Sequence, residues 1–172
     1  MSKLEFERYP FLWREKFFIW LYSLVWILLF PFVLLYFLKR SIKEKNYRLN
    51  LKERLGYFPE FVHGSIWLHA ASLGEFRASV PLIKMFLKRK EKILITTLTP
   101  AGREEAKKEF NIEEKAGFIK VVYLALELSF CYRRFFKRYK PRFGLILEIE
   151  LWPKMIACSS HAKVPLILAQ GQ

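Results

Sequence analysis

Residues 66–76 read IWLHAASLGEF, and this stretch decides the fold. It begins as a short apolar run, within residues 65–70, of the kind that forms a buried strand. A loop of small residues follows, and then Phe76, Val80 and Ile83 recur at a spacing that places them on one face of a helix. The stretch therefore predicts a strand, a loop and a core-packed helix, which is the basic unit of an α/β fold.

The same unit recurs along the rest of the chain. Three more β-rich runs each precede a helical pattern, at residues 92–97, 118–124 and 143–147, and a last apolar run follows at residues 165–169. Such alternation is typical of a parallel sheet built from βαβ units. We therefore expect an α/β fold in which a Rossmann-like parallel sheet carries helices on both faces.

Residues that start and stop helices indicate where the connecting helices lie. Thr99 and Pro100 have the features of an N-cap and a first helical position, which predicts a helix over residues 100–109. Two further helices are expected, one over residues 128–139 and one from about residue 152 to residue 162. Each would connect two successive parallel strands.

An uncharged segment of 22 residues, residues 17–38, precedes the predicted sheet. As a helix it would be about 33 Å long, enough to cross a hydrocarbon core of about 30 Å. Pro31 would remove one helical hydrogen bond, so a tilted or interfacial helix is also compatible with the sequence. A very hydrophobic core helix is the remaining alternative. We predict an N-terminal membrane-anchor helix.

Basic residues flank this segment. Residues 39–56 contain seven Lys or Arg against two Glu, which by the positive-inside rule predicts that the following domain lies on the cytoplasmic side of the membrane. The sequence thus divides into a basic N-terminal segment (1–16), a membrane-anchor helix (17–38), a basic linker (39–60) and the sheet domain (61–172).

The composition excludes intrinsic disorder and favours anionic partners. Of the 172 residues 53% are hydrophobic, and the formal net charge is +14. Nucleic acid, acidic lipid headgroups and phosphorylated substrates would all be attracted, but nine of the thirty aromatic residues lie within residues 17–38, which favours anionic membrane lipids over nucleic acid. Cys131 and Cys158 form no C-x-x-C pair, so both are expected to be buried, reduced thiols.

The loops after the predicted strands contain polar residues, and ligands of open parallel sheets bind at these carboxyl ends. Glu75 lies at the start of a helix behind Gly74, where the helix dipole favours an ionised carboxylate. It would act there either as a general base toward a hydroxyl group or as a helix cap, and its spacing favours neither role.

Other residues of these loops also have two possible roles. Arg103, near a helix start, would either bind a phosphate or be a solvated surface arginine. Glu148 and Glu150 alternate as they leave a strand, so one of them would face the crevice, and a capping role for Glu150 is equally compatible. His69 has no second histidine at metal-ligand spacing, so a satisfied, partly buried imidazole is favoured over a metal ligand, and we expect no protein-bound catalytic metal.

Four motifs stand in order along the chain: KERLGY at residues 52–57, IWLHAASLGE at residues 66–75, TTLTPAGR at residues 96–103 and EIELWP at residues 148–153. Together with the apolar N-terminus they resemble the N-terminal domain of the Kdo transferases, which are membrane-associated glycosyltransferases of the GT-B fold. The resemblance extends almost to the last residue. It implies the acceptor-binding half of a two-domain enzyme of lipopolysaccharide biosynthesis.

The resemblance also implies roles for individual residues. Glu75 would be the catalytic base that deprotonates the acceptor hydroxyl as it attacks the anomeric carbon of Kdo carried on CMP. The acceptor, a lipid A precursor, would be contacted by Ser72, Gly74, Arg103, Glu148 and Glu150. The donor CMP-Kdo would bind mainly to a C-terminal domain absent from this chain, and no cofactor is expected.

Two segments depart from the family pattern. Residues 124–127 read LALE where the family has a proline and an aspartate, and residues 169–172 read AQGQ in place of an asparagine-containing segment. A non-catalytic, membrane-anchored half that binds lipid or a partner subunit is therefore the alternative function.

Overall fold

The computed structural model describes residues 13–43, 50–147 and 152–169. Within these residues the strands are β1 (Ile66–His69), β2 (Ile93–Thr97), β3 (Ile119–Tyr123), β4 (Phe143–Leu147) and β5 (Leu166–Ala169). The helices are α1 (Trp13–Lys43), α2 (Leu51–Arg54), α3 (Leu73–Lys88), α4 (Pro100–Glu109), α5 (Asn111–Lys115), α6 (Ser129–Tyr139) and α7 (Pro153–His161).

The five strands form one parallel sheet in the order β3-β2-β1-β4-β5. The central strand β1 pairs with β2 on one side and β4 on the other, so His69 lies between Thr96 and Ile146. The order of the strands reverses at β1, which is the point where open α/β sheets form a ligand crevice. The predicted Rossmann-like parallel sheet is confirmed.

Helices cover both faces of this sheet, as predicted. Helices α3 and α4 pack on one face, where Phe76 is fully buried, and α6 and α7 pack on the other around Phe135 and Met155. Successive strand residues point to opposite faces, so Trp67 belongs to the second cluster and Leu68 to the first. The core is therefore built from two apolar layers on either side of the sheet.

The connecting helices begin and end within about one residue of their predicted limits. The Thr99 hydroxyl accepts a hydrogen bond of 3.2 Å from the Gly102 N–H, and Pro100 is the first residue of α4. Helices α6 and α7 match the two later predictions. The short helices α2 and α5 are additional to the predicted ones.

Part of the segment predicted as a basic linker is folded onto the sheet domain. Glu53 and Arg54 of α2 are buried, and the Leu126 N–H donates a hydrogen bond of 2.8 Å to the Arg54 carbonyl. Outside the described residues lie most of the predicted N-terminal segment, part of the linker and the end of the chain: residues 1–12, 44–49 and 170–172.

Helix α1 contains the segment Phe17–Tyr36, the one segment among the described residues that is long and apolar enough to cross a membrane. Its half-buried residues recur at helical spacing and form a single stripe: Ile19, Tyr22, Ser23, Trp26, Phe30, Val33 and Leu34. The opposite face exposes large apolar side chains, among them Phe18, Val25, Leu28 and Phe32. One face of α1 therefore contacts the domain while the other stays uncovered.

Contacts along this stripe show that α1 lies across the carboxyl edge of the sheet. The Lys154 Nζ, at the start of α7, donates a hydrogen bond of 3.2 Å to the Ile19 carbonyl. The rings of Trp26 and Trp152 meet edge to face with centroids 6.5 Å apart. Further along, the end of α1 faces the loops that follow β2 and β3.

Candidate active site

The candidate site lies at the carboxyl edge of the sheet, where the loops after β1 and β2 meet. The Leu98 N–H donates a hydrogen bond of 3.2 Å to the Ala71 carbonyl and joins the two loops. A Cβ on Gly102 would lie 3.5 Å from the Ser72 carbonyl carbon, so the absence of a side chain there lets the start of α4 approach the start of α3. Two helix N-termini, which favour negative charge, therefore meet at this edge.

Glu75 lies in the first turn of α3 at this junction and is partly exposed. Its Oε2 accepts a hydrogen bond of 2.7 Å from the Ala71 N–H, while its own N–H donates to the Ser72 hydroxyl at 3.2 Å. Together the two bonds form a capping arrangement at the helix start, in which the carboxylate binds the N–H of Ala71 rather than that of the N-cap residue Ser72. The carboxylate is thereby held in one position at the mouth of the crevice and remains in contact with solvent.

Gly74 and Ser72 complete this loop. Gly74 is exposed, and a Cβ there would meet only the Ser72 hydroxyl, at 3.9 Å, so the surface beside Glu75 is open. Ser72 caps α3 in an extended backbone conformation. The two residues are placed where an acceptor would approach Glu75, and their contact with an acceptor stays a prediction.

Arg103 does not lie on the surface of the site. Only 6% exposed, its guanidinium makes a bidentate ion pair with the buried Glu53, with Nη2 2.8 Å from Oε1. The Glu53 carboxylate also accepts a hydrogen bond of 2.9 Å from the Tyr123 N–H, and the Arg103 guanidinium stacks over the Tyr123 ring. Arg103 therefore joins α2, α4 and β3. The interpretation of Arg103 as a solvated surface arginine is wrong. Its contact with an acceptor phosphate stays a prediction.

His69 is fully buried at the end of β1. Burial lowers the pKa of its imidazole to about 4, so the ring is neutral at physiological pH. Its Nδ1 lies 2.9 Å from the Thr96 hydroxyl, which also accepts a hydrogen bond of 2.8 Å from the Trp67 indole. The expected burial is confirmed and is complete rather than partial. The expected hydrogen bonding holds for Nδ1 only, because Nε2 is buried without a hydrogen-bond partner among the described residues.

Glu127 is a buried carboxylate at the same edge that the sequence assigned no role. Its Oε1 accepts a hydrogen bond from the Lys154 N–H at the start of α7. Burial raises the pKa of Glu127 to about 7, against its ordinary value of 4.5. The Glu127 carboxylate therefore links the loop after β3 to α7, the helix after β4. This contact lies next to α1.

A cavity of about 330 Å³ lies between α1 and this edge, and we call it the edge cavity. Its wall is mostly apolar and includes Trp26, Val33, Leu98, Leu124, Ala125 and Trp152. Helix α1 supplies one side, and the loops after β2, β3 and β4 supply the other. The sequence alone does not predict this cavity, because it requires the docking of α1 onto the domain.

Two predicted site residues, Glu148 and Glu150, lie outside the described residues, so their orientation is not part of the structure. Within the described ranges, no group of three His, Cys, Asp or Glu side chains is placed to hold a metal ion. The expectation that the reaction needs no metal or cofactor stays a prediction.

Fold and site together define an α/β protein with a Rossmann-like parallel sheet, a positioned carboxylate at the switch point of that sheet, and an apolar helix across the same edge. Over residues 49–172 the chain matches the model of the 3-deoxy-D-manno-octulosonic-acid transferase (Kdo transferase) family. Because this match covers well over half of its residues, the chain belongs to the Kdo transferase family.

Individual relatives agree with this assignment. The chain is 36% identical over 107 residues to the 3-deoxy-D-manno-octulosonic acid transferase of Bordetella pertussis, covering 62% of this chain and 25% of the relative. For the transferase of Haemophilus influenzae the identity is 30% over 151 residues, which cover 83% of this chain and 33% of the relative. For the transferase of Aquifex aeolicus the identity is 37% over 109 residues, which cover 63% of this chain and 28% of the relative. The chain thus spans about a quarter to a third of the length of these curated relatives.

Proposed function

We propose that this chain is the acceptor-binding part of a glycosyltransferase that moves Kdo from CMP-Kdo to a lipid A precursor. The observation that carries the proposal is the position of Glu75. Its partly exposed carboxylate lies at the carboxyl edge of the sheet, and the apolar helix α1 lies across that same edge. A base toward a sugar hydroxyl and a surface for lipid are therefore on one side of the molecule.

In the proposed reaction the Glu75 carboxylate accepts the proton of an acceptor hydroxyl. The hydroxyl oxygen forms a bond to the anomeric carbon of Kdo, and the bond from that carbon to the CMP phosphate oxygen breaks with its electron pair. The Ala71 N–H fixes the orientation of the base. Ser72 and Gly74 lie beside Glu75, where the acceptor would bind. CMP-Kdo would be bound by another part of the enzyme.

The anchor helix is proposed to lie in the membrane surface rather than across the bilayer. The stripe from Ile19 to Leu34 that contacts the domain covers most of the apolar segment. If α1 spanned the bilayer in this arrangement, Lys154 and Glu127, which lie beside the stripe, would enter the hydrocarbon region at a high cost in free energy. An interfacial helix leaves both at the surface and buries only the uncovered apolar face in lipid.

The charge of the chain favours an anionic surface. With a formal net charge of +14, the protein is attracted to acidic lipid headgroups on the cytoplasmic leaflet. Arg133 and Lys137 on α6 are exposed and add to this attraction. We therefore place the chain at the cytoplasmic face of the inner membrane, where a phosphorylated lipid acceptor and a soluble nucleotide sugar would meet.

Two measurements test the proposal. Purified chain in detergent is expected to bind the lipid A precursor in preference to a neutral glycolipid. A chimera, in which this chain replaces the matched region of the Haemophilus influenzae relative, is expected to transfer Kdo, and the Glu75→Gln chimera is expected to bind acceptor without transfer. Binding without preference, or equal transfer by both chimeras, would overturn the proposal. An inactive parent chimera combined with selective binding would favour the non-catalytic alternative.

A further inference from the structure

The edge cavity has the size and the wall expected of a site for a hydrocarbon chain. Its volume of about 330 Å³ falls within the range of small-ligand sites. Leu98, Leu124 and Ala125 supply its domain side, and Trp26 and Val33 supply its α1 side. Such a wall offers apolar contact over most of its area, which suits an alkyl chain better than a sugar or a nucleotide.

One end of the edge cavity lies next to the apolar face of α1 that stays uncovered. Tyr36 borders the cavity and is 53% exposed, and Phe32, one turn earlier, is 68% exposed. An alkyl chain that leaves the cavity at this end would pass the Tyr36 ring to reach the lipid-facing surface. This position distinguishes the cavity from an ordinary packing defect inside a domain.

Positive charge lies at the same end. Arg40 and Arg54 both border the cavity. The Arg40 guanidinium donates a hydrogen bond of 2.6 Å to the Tyr36 hydroxyl, and the Arg54 guanidinium donates to the Leu98 carbonyl and stacks over the Tyr123 ring. Glu127 also borders the cavity, but burial raises the pKa of its carboxyl to about 7, so the two guanidinium groups carry the larger fixed charge. This balance is complementary to an amphiphile that has an anionic head.

The edge cavity also adjoins the candidate base. Leu98 lines the cavity, and its N–H donates to the Ala71 carbonyl at 3.2 Å. The N–H of Ala71 in turn donates to Glu75 at 2.7 Å. Two hydrogen bonds through Ala71 therefore link a residue of the cavity wall to the carboxylate.

We propose that the edge cavity holds one acyl chain of the acceptor lipid and so places the sugar hydroxyl of that lipid at Glu75. The inference rests on the proposed function and adds to it a named subsite for the lipid tail. Helix α1 then has two roles, because it contacts the membrane and also forms one wall of the substrate site. Acceptors without acyl chains are expected to bind weakly for lack of this contact.

The test compares two acceptors on cavity-filling variants. Ala125→Phe fills the cavity from the domain side, and Val33→Trp fills it from α1, where the substitution leaves the sheet core intact. Ala116→Phe, at an exposed position at the end of α5 and away from the carboxyl edge of the sheet, is the matched control. The affinity of each purified chain is measured for the lipid A precursor and for its fully deacylated form, with circular dichroism to confirm folding.

Unmodified chain is expected to bind the acylated acceptor at least about tenfold more tightly than the deacylated one, since each buried methylene adds to affinity. Both filled variants are expected to lose that preference, while Ala116→Phe retains it. Equal affinities in the unmodified chain, or an unchanged preference in a folded Val33→Trp variant, would overturn the subsite alone. Displacement of the acceptor by vesicle phospholipid at equal affinity would assign the cavity to bulk lipid and overturn it too. Failure to bind either acceptor form would instead overturn the proposed function.

Discussion

The Glu75 carboxylate accepts a hydrogen bond of 2.7 Å from the N–H of Ala71, four residues earlier in the chain. The sequence left two roles open for this glutamate, a helix cap and a general base. The structure shows that the cap exists, and it also shows that the carboxylate is partly exposed at the switch point of the sheet. Capping and proton transfer are thus compatible, because the cap fixes the group that would accept the proton.

The first prediction separates these two roles by substitution at Glu75. In Glu75→Gln the side-chain oxygen can still accept from Ala71, so stability should change little, while the amide cannot take a proton. Glu75→Ala removes both functions and should also lose about 1 kcal/mol of stability. Kdo transfer by the chimera with the Haemophilus influenzae relative and thermal unfolding of the chain measure the two effects.

Thr99→Ala is the control for a pure capping loss. Thr99 caps α4 through the Gly102 N–H, so its removal should lower stability by about 1 kcal/mol and leave the base in place. Transfer by the Thr99→Ala chimera should therefore continue. If Glu75→Gln retained near-normal transfer as well, Glu75 would be a cap only.

The second prediction concerns the ion pair between Arg103 and Glu53. Arg103→Ala would leave the buried Glu53 carboxylate without its bidentate partner, and the free energy of unfolding should fall by about 3–5 kcal/mol. The double variant Arg103→Met with Glu53→Gln should recover much of this loss, because no unpaired buried charge remains. Urea unfolding in detergent would measure each value.

Arg77→Ala provides the comparison for an exposed pair. Arg77 pairs with Glu105 at 2.9 Å, and its side chain is largely exposed, so its removal should cost under about 1 kcal/mol. Equal stability of Arg103→Ala and Arg77→Ala would contradict a structural role for the buried pair. A fully stable Arg103→Ala chain with weakened acceptor binding would support the phosphate contact predicted from the sequence.

The third prediction is a pH dependence that originates at Glu127. Its pKa is about 7 in the folded chain against an ordinary 4.5, so the folded state favours the protonated form. The resulting stabilisation is complete below about pH 4.5 and is lost as the pH rises through 7. Glu127→Gln mimics the neutral form, so its stability relative to the unmodified chain should increase between pH 5 and pH 8, by on the order of 3 kcal/mol.

His69 does not disturb this comparison. Its lowered pKa makes folding less favourable as the pH falls from about 6.5 toward 4, but the effect is common to both proteins and cancels in their difference. Glu109→Gln, in an exposed pair with Lys84, should show no comparable trend. Thermal unfolding across the pH range provides the measurement, and a difference independent of pH would show that Glu127 is not held protonated.

The order of strands and helices could be predicted from the sequence because the patterns that indicate each element involve residues close together in the chain. The apolar run before His69 and the Thr99-Pro100 pair depend only on neighbouring residues. The expected burial of Cys131 and Cys158 is also confirmed, as it follows from the apolar nature of the thiol.

The environments of Arg103 and Glu127 could not be predicted in this way. Glu53 lies 50 residues before Arg103, and a pairing at that separation depends on the folded positions of α2 and α4. The contact of Glu127 with α7 depends in the same way on two distant loops. Nothing in the spacing of either residue distinguishes a buried ion pair from a surface charge.

The last prediction concerns the depth of α1 in the membrane, since the sequence left a spanning and an interfacial helix open. Phe18, Val25 and Phe32 lie on the uncovered face, seven residues apart, and each can be replaced by cysteine for attachment of a nitroxide label. Cys131 and Cys158 should react slowly with the labelling reagent, because burial raises the pKa of both thiols, that of Cys131 to about 12.

An interfacial helix should give similar, shallow depths at all three positions in anionic vesicles. A spanning helix should place Val25 near the bilayer centre, about 10 Å deeper than the other two labels, since seven helical residues rise about 10.5 Å. Ser23→Cys, on the stripe that contacts the domain, should show weak contact with lipid only if α1 stays docked. A deep Val25 label together with a lipid-exposed Ser23 label would mean that α1 leaves the domain and crosses the bilayer. The edge cavity would then lose one of its walls, so the Val25 and Ser23 labels together also decide whether the lipid-tail subsite can exist in the membrane.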